Sequence, residues 1–479
     1  MPLAPRVPHH ALAAVLCTAS TGLAQLAWIP VWADEFDGTA LNAANWEVQT
    51  GTGTLYGLEN WGNNELQYYT GRPQNLTVSN GMLSIIARAE NYNNRSYTSA
   101  RIRTLGRRDF RYGRFEARIS VPAGQGLWPA FWMLPTNSPY GGWAASGEID
   151  IIETINAATT AHGTIHHGSN WPNNTSNGGQ LAGTYANTFR VYRVEWEPDE
   201  IRWYVDGVRY YRVTSATWFS TAAPANDRAP FDTPFHLLLN LAVGGNWPGN
   251  PNASTPFPST LRVDYVRVSQ RPPKGPYAGL APTLPTRIEA EHFDLGGGSI
   301  AYNDTEPENV GNAFRPDEAV DIEACAEGGF NTGWFRPGEW VEYSVIAPAA
   351  GQYQVRLRVA TQAAGAACRL ASNGQNISDV LPIPSSGGWQ SYRTLTTTVT
   401  LPQGLTALRL SNVGAAGADF NTNWIEFLIP GDVNANAVVD IDDLYDYESG
   451  GGLNRDVDGD GTPGTPFDRL ALFQLVRDQ

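Results

Sequence analysis

The sequence predicts an all-β chain built of antiparallel sandwiches, and three observations carry that expectation. Short runs alternate apolar and polar residues, as in Met82-Leu83-Ser84-Ile85-Ile86-Ala87-Arg88, Phe115-Glu116-Ala117-Arg118-Ile119 and Val191-Tyr192-Arg193-Val194-Glu195-Trp196. Turn-forming residues are plentiful, with 49 Gly and 33 Pro. Long amphipathic helical patterns are missing from most of the chain. A period of two puts one face of each strand in a core and the other toward water, as half-buried antiparallel strands require.

The 479 residues are too many for one core and imply about three units. Hydrophobic residues make up 42% and charged residues 16%, which excludes a disordered or highly charged chain. A formal net charge of −15 would repel nucleic-acid phosphates and suits neutral ligands and bound cations. The only lysine is Lys274, in a Pro/Gly-rich stretch, so phosphate-loop and Schiff-base chemistry have no lysine to use.

Residues 1–24 read as an export signal: Arg6 and two histidines precede an apolar run from Ala11 to Leu16 that continues to Leu23. Small Gly22 and Ala24 suit cleavage after Ala24, and a secreted, extracellular protein is the expectation. Cys17 lacks the preceding small residue of a lipoprotein anchor. No other segment approaches the ~20 apolar residues of a membrane span. Cys325 and Cys368 then remain, as a disulfide or as two buried thiols.

Residues 27–270 form the first β region, and 271–285, opening Arg271-Pro272-Pro273-Lys274-Gly275-Pro276, read as a linker. A second β region covers 286–428, with strand signals in Trp340–Val345 and Tyr353–Val359. The tail, 431–479, is Asp-rich, and Leu470–Val476 predicts a short helix.

The stretch Gly147-Glu148-Ile149-Asp150-Ile151-Ile152-Glu153 carries the chemistry. In a regular strand Glu148 and Asp150 share a face, and Glu153 falls on the other. One bulged residue, most naturally Ile152, returns Glu153 to that face. Three acids on one wall repel each other and cost stability unless they serve a purpose. Glycoside hydrolysis with retention is such a purpose, needing two carboxyls about 5–5.5 Å apart, one as nucleophile and one as acid/base. Asp150 between them can hold Glu148 ionised, while the crowding of negative charge keeps Glu153 protonated.

Around this stretch lie Gly126-Leu127-Trp128-Pro129-Ala130-Phe131-Trp132-Met133-Leu134-Pro135, Trp143, Gly163-Thr164-Ile165-His166-His167, Asn240–Gly249 and Asn63–Thr70. Together these motifs resemble glycoside hydrolase family 16, in its laminarinase-like branch, over residues 32 to 268. The resemblance implies a jelly-roll β-sandwich and a secreted endo-β-1,3-glucanase acting by double displacement through a covalent glycosyl-enzyme. It makes Glu148 the nucleophile, Asp150 the assisting acid and Glu153 the acid/base. It places His166 near the reacting sugar, Trp128 and Trp132 along the cleft, and Asn60 and Arg101 as further cleft candidates. Ala144, after Trp143, departs from the proline of many relatives and bears on that loop's shape. The family also implies a structural calcium, with Glu35, Asp264 and a backbone oxygen near Gly81 at its ligand positions; oxygen ligands suit that ion.

The second region contains Arg287–Phe293, Asn331-Thr332-Gly333-Trp334, Pro337–Tyr343, Gly387-Gly388-Trp389 and Phe420–Phe427. It resembles a carbohydrate-binding module of family 6, which implies a second sandwich that binds without cutting. By position Trp334 and Trp389 sandwich a sugar, Asn423 bonds it, and Glu289 and Glu291 match a structural calcium site. In the tail, Asp432, Asn434, Asn436 and Asp443 stand at positions 1, 3, 5 and 12 of an EF-hand-like loop. Asp456, Asp458, Asp460 and Asp468 begin a second such loop 24 residues on, with one extra residue, and Ala437 replaces the turn glycine of the first. The pair resembles a dockerin domain, which implies a partner bearing a cohesin.

Two further readings stay open at this level. An agar- or carrageenan-cleaving or mixed-linkage enzyme of the same family shares the bulged motif, although the tryptophan-rich approach and the lack of a basic patch favour neutral glucan. A non-catalytic β-glucan-binding protein is the reading of a different class; such relatives lack the two glutamates present here.

Overall fold

A computed structural model describes residues 28–434, 438–450, 455, 457 and 463–477. The segment read as an export signal lies outside the described residues. Two sheets pack face to face within residues 29–270. Seven of the eight strands of the sheet that carries the site follow one path: β1 (Glu47–Gln49), β2 (Arg101–Arg103), β3 (Leu127–Pro135), β4 (Glu148–Glu153), β5 (Thr160–His167), β6 (Thr175–Ala182) and β7 (Phe235–Val243). Their spatial order is β6-β5-β4-β3-β7-β2-β1, and all neighbours are antiparallel. The opposing sheet has Gly113–Ser120 and Ser259–Gln270 at its centre.

The alternation in the sequence is the alternation of burial. Leu83, Ile85 and Ala87 are fully buried between half-buried Ser84, Ile86 and Arg88. They meet Phe131, Met133, Ile149, Leu237, Leu239 and Leu241 of the site sheet in one core. Burying such side chains contributes about 1.5–3 kcal/mol each before chain entropy is set against it.

Residues 286–428 form a second sandwich of two six-stranded sheets around Val341, Tyr343, Val345, Val355, Leu357, Leu410 and Phe427. Cys325 and Cys368 are both buried free thiols within it. The tail packs α1 (Ile441–Glu448) on α2 (Pro466–Arg477) over Val433, Tyr447, Val457 and Leu472. The helix expected at Leu470–Val476 lies inside α2. The other, α1, has no apolar periodicity to announce it; a capping box between Asp440 and Asp443 starts it.

The stretch read as a linker is fastened down along its length. Arg271 pairs with Glu197 at 2.9 Å and Glu318 at 3.3 Å, and Lys274 pairs with Glu342. Tyr277 stacks on His292 with centroids 4.7 Å apart and planes at 6°. Leu284 is buried, and its N–H donates to the Ile346 carbonyl at 2.9 Å. Pro and Gly content reports backbone preference and says nothing of what the side chains between them can grip. Arg271 extends a buried ion network that joins the sandwiches, because Glu197 also pairs with Arg202, itself 3.1 Å from Glu195, while Tyr302 donates to Glu318 at 2.8 Å. Burial works against the charge on Glu197, but Arg271 and Arg202 outweigh it and hold its pKa down at about 2.

Candidate active site

The carboxylates sit on β4, between β3 and β5. On the β5 side Glu148 pairs with His166, Asp150 with Thr164 and Glu153 with His162, with an irregularity between Asp150 and Glu153. Positions 162, 164 and 166 share one face of β5, so the three acids share a face too. On the β3 side Asp150 opposes Trp132 and Glu153 opposes Ala130, with Ile152 opposite Phe131. Ile151 is therefore the residue without a β3 partner, which corrects the expectation that Ile152 is the bulged one. Both isoleucines are buried, and the ladder rather than the residue type decides which is skipped.

Gly163 allows the bulge to be braced from behind. A Cβ there would come within 2.3 Å of the Trp203 ring, and Trp203 Nε1 donates to the Asp150 carbonyl at 2.8 Å. The space a side chain would fill is occupied by the indole that holds the strand.

Each glutamate has its own aromatic wall. Trp128 Nε1 donates to Glu153 Oε1 at 2.8 Å, and Trp128 meets Trp247 edge-on at 5.5 Å, with His162 5.0 Å from Trp247. Trp143 Nε1 donates to Glu148 Oε2 at 2.8 Å, and the Trp143 ring lies 5.4 Å from His166 and 6.1 Å from Trp171. Trp143, Trp171 and Trp247 are exposed. Apolar faces beside polar groups suit a pyranose ring, which stacks on one and hydrogen-bonds the other. Trp143, Trp171 and Trp247 stood in the sequence without a role, because an isolated tryptophan carries no sign of which carboxylate it will reach.

Burial, joined at the two glutamates by the Asp150 carboxylate, pushes Glu148, Asp150 and Glu153 up to about 8 each. Trp143 and His166 oppose the shift at Glu148, and Trp128 and His166 oppose it at Glu153. His166 Nε2 lies 3.4 Å from Asp150 Oδ2 and 3.8 Å from Glu148 Oε1. Such a cluster holds fewer than three charges at neutral pH.

Trp132 is aimed by a buried polar network. Its Nε1 donates to Asn240 Oδ1 at 2.7 Å, Asn240 donates to the Tyr69 hydroxyl at 3.2 Å, and Tyr69 donates to Glu65 at 3.2 Å. Burial pushes Glu65 up to about 7. Arg101, expected at the cleft surface, is instead buried, its guanidinium between the rings of Trp61 (4.6 Å) and Trp132 (4.8 Å) and its Nε on Gln49. Asn60 lies in the turn Glu59–Gly62 at φ 50°, and Arg95 donates to its side chain.

In the second sandwich Trp389 is exposed and Trp334 half-buried. Asn421, which sequence reasoning passed over, joins them: its Oδ1 accepts from the Trp334 N–H at 3.2 Å and its Nδ2 donates to the Trp389 carbonyl at 2.9 Å. Asn423 donates instead to Glu327 at 3.0 Å, and Glu327 pairs with Arg358. Both asparagines lie on one strand face two residues apart, so only the third dimension distinguishes them.

Of the residues expected to hold calcium, Glu291 fits best. It is buried, its Oε2 has no hydrogen-bond partner, and burial assisted by the Glu289 carboxylate raises it to about 7. Glu35 is taken up by a two-pronged contact with Arg267 at 2.7 and 2.9 Å, and Asp264 accepts from Arg118 at 2.7 Å. A pair already neutralised by arginines fits a cation poorly as it stands. Gly81 adopts φ 67° in the turn between the strands Leu76–Val78 and Leu83–Tyr92. In the tail Asp443 accepts from the N–H groups of Val433 and Asp440, and Asp468 accepts from those of Val457 and Thr465. The two segments are thus built alike. Asp432 and Asn434 lie in the described part of the first; Asn436, Asp456, Asp458 and Asp460 lie outside the described residues.

Residues 60–267 match the model of Glycosyl hydrolases family 16, and residues 311–428 that of Carbohydrate binding module (family 6). A Glucan endo-1,3-beta-glucosidase A1 of Niallia circulans is 48% identical over 258 residues, which cover 50% of this chain and 37% of that protein. A Beta-glucanase of Rhodothermus marinus is 45% identical over 249 residues, covering 50% of this chain and 85% of the relative. The solved laminarinase from Rhodothermus marinus shows 44% identity and a TM-score of 0.45, over 50% of this chain and 97% of that chain. The chain thus spans little more than a third of the first relative and most of the second. With the paired glutamates on one wall of an aromatic-lined sheet, the family-model matches and the sequence identity to the Beta-glucanase give the conclusion that the chain belongs to glycosyl hydrolases family 16, its O-glycosyl hydrolase domain followed by a family 6 carbohydrate binding module.

Proposed function

We propose that the protein is a secreted, retaining endo-β-1,3-glucanase that tethers itself to its polysaccharide through the second sandwich. The observation that carries this reading is the shared face of Glu148 and Glu153, each with an indole N–H on its carboxyl. Glu148 attacks the anomeric carbon, and Glu153 gives its proton to the leaving oxygen. A glycosyl ester forms on Glu148 as the glycosidic C–O bond breaks. Glu153, now ionised, then takes a proton from water, and that water's oxygen displaces Glu148 from the sugar. His166, opposite Glu148 in the ladder with its Nε2 3.8 Å from Glu148 Oε1, favours the ionised form of the nucleophile. The tryptophan walls suit an uncharged glucan.

Glu148→Gln is expected to lower laminarin hydrolysis on the order of a thousandfold or more, while polysaccharide binding by residues 286–428 persists. NMR of the first product should show the β-anomer. An α-anomer, or activity retained in the variant, would end the reading. Products from laminarin, lichenan, agarose and carrageenan decide the substrate class.

We also infer a structural calcium at Glu289 and Glu291, supported by the buried Glu291 Oε2 that has no hydrogen-bond partner, and a dockerin-like role for the tail. Matching Asp443 and Asp468 contacts support the latter, as do Ile441, Tyr445, Phe467, Leu470 and Phe473, apolar residues exposed on α1 and α2 where a cohesin-type partner could cover them. Chelation should lower the melting temperature; an unchanged value would remove the metal, and failure to bind any cohesin in a pull-down panel would remove the partner.

A further inference from the structure

We propose that Glu148, Asp150 and His166 form a binding site for a divalent transition-metal ion such as Zn2+, and that occupancy blocks the active site reversibly. Among the described residues these three are the one group of His, Cys, Asp or Glu side chains whose ligand atoms lie within 4.8 Å of one another. His166 Nε2 stands 3.4 Å from Asp150 Oδ2 and 3.8 Å from Glu148 Oε1. Ligands at the usual zinc distances, in a tetrahedral arrangement, stand about 3.3 Å apart, so only small side-chain movements separate the cluster from a three-ligand site.

A second observation points the same way. Asp150 is 2% exposed, and its Oδ2, which faces His166, has no hydrogen-bond partner. Trp143 occupies Glu148 Oε2, which leaves Oε1 for an ion. One imidazole with two carboxylates suits zinc or a neighbouring first-row ion, and is the wrong set for calcium, which takes six to eight oxygens. The fourth position opens on the cleft, where the sugar would stand. His166 Nδ1 is buried with no acceptor, so the ring lacks the outer hydrogen bond that strengthens structural zinc sites. The ion is accordingly an exchangeable inhibitor. With Glu148 ligated, its carboxylate cannot attack.

The binding claim stands apart from the glucanase reading; the inhibition claim rests on it. Zn2+ is titrated into the full chain by calorimetry in excess Ca2+, which fills oxygen-only sites, and laminarin hydrolysis is followed in parallel. One zinc site is expected, with affinity at least about tenfold weaker in His166→Asn, and hydrolysis inhibited competitively and restored by dialysis. Circular dichroism of the variant verifies its fold. No binding, or equal binding in the variant, would overturn the site; binding without loss of activity would overturn the inhibition. If metal-free protein does not cleave laminarin at all, the glucanase reading and the inhibition claim fall together, and the titration still decides the site.

Discussion

Trp128 donates its indole N–H to Glu153 at 2.8 Å, from a strand whose register places Ala130, two residues on, directly opposite that glutamate. Trp143 does the same for Glu148 from the loop before β4. Each donor favours the ionised form of its carboxyl, so removing it raises that pKa. If Glu148 works ionised and Glu153 protonated, the two indoles govern opposite limbs of the pH–rate profile. Trp128→Phe should move the alkaline limb of kcat up by about half to one pH unit, and Trp143→Phe should move the acid limb up by a similar amount. Profiles of both variants on laminarin test this, and movement of the opposite limbs would reverse the two roles.

The same cluster makes stability depend on pH. Carboxyls raised to about 8 in the folded chain hold protons that the unfolded chain has already released at and above its ordinary carboxylate range. The folded state therefore binds more protons between about pH 4 and 8, and stability falls as pH rises through that window. Glu153→Gln removes one contributor. It should melt close to the parent at pH 4 and above it at pH 8, by on the order of 1 kcal/mol, about 2–4 °C. Calorimetry at the two pH values measures the difference.

The second sandwich should bind glucan through the pair that Asn421 ties together. Trp389→Ala is expected to weaken insoluble-glucan binding about tenfold, 1.4 kcal/mol, and to leave hydrolysis of short soluble substrates unchanged. Asn421→Ala should weaken binding more than Asn423→Ala, whose side chain is engaged with Glu327. Affinity electrophoresis of the three variants ranks them.

Arg271 joins the two sandwiches through Glu197 and Glu318. Arg271→Ala removes one cation from each of two buried carboxylates, which keep Arg202 and Arg315, at a cost of about 1.5–3 kcal/mol. The melting transition should fall and split, and limited proteolysis should open the chain within 271–285, which the parent protects.

Much of this was written along the chain, because a period of two is a local property. Alternation at Leu83, Ile85 and Ala87 defines a core face without reference to any other strand, and the spacing of Glu148, Asp150 and Glu153 required an irregularity before any partner strand was known. What lay beyond reach depended on pairing. Whether Ile151 or Ile152 is skipped follows from the register with β3. Whether Arg101 meets a sugar or lies behind Trp132 follows from Trp61 closing over it. Whether Asn421 or Asn423 joins the two tryptophans depends on loops far away in sequence. The sequence determined the elements, the acids and their common face; the tertiary structure decided which indole reaches which acid. Hydrogen bonds and burial arise between residues up to hundreds of positions apart, and no local pattern encodes them.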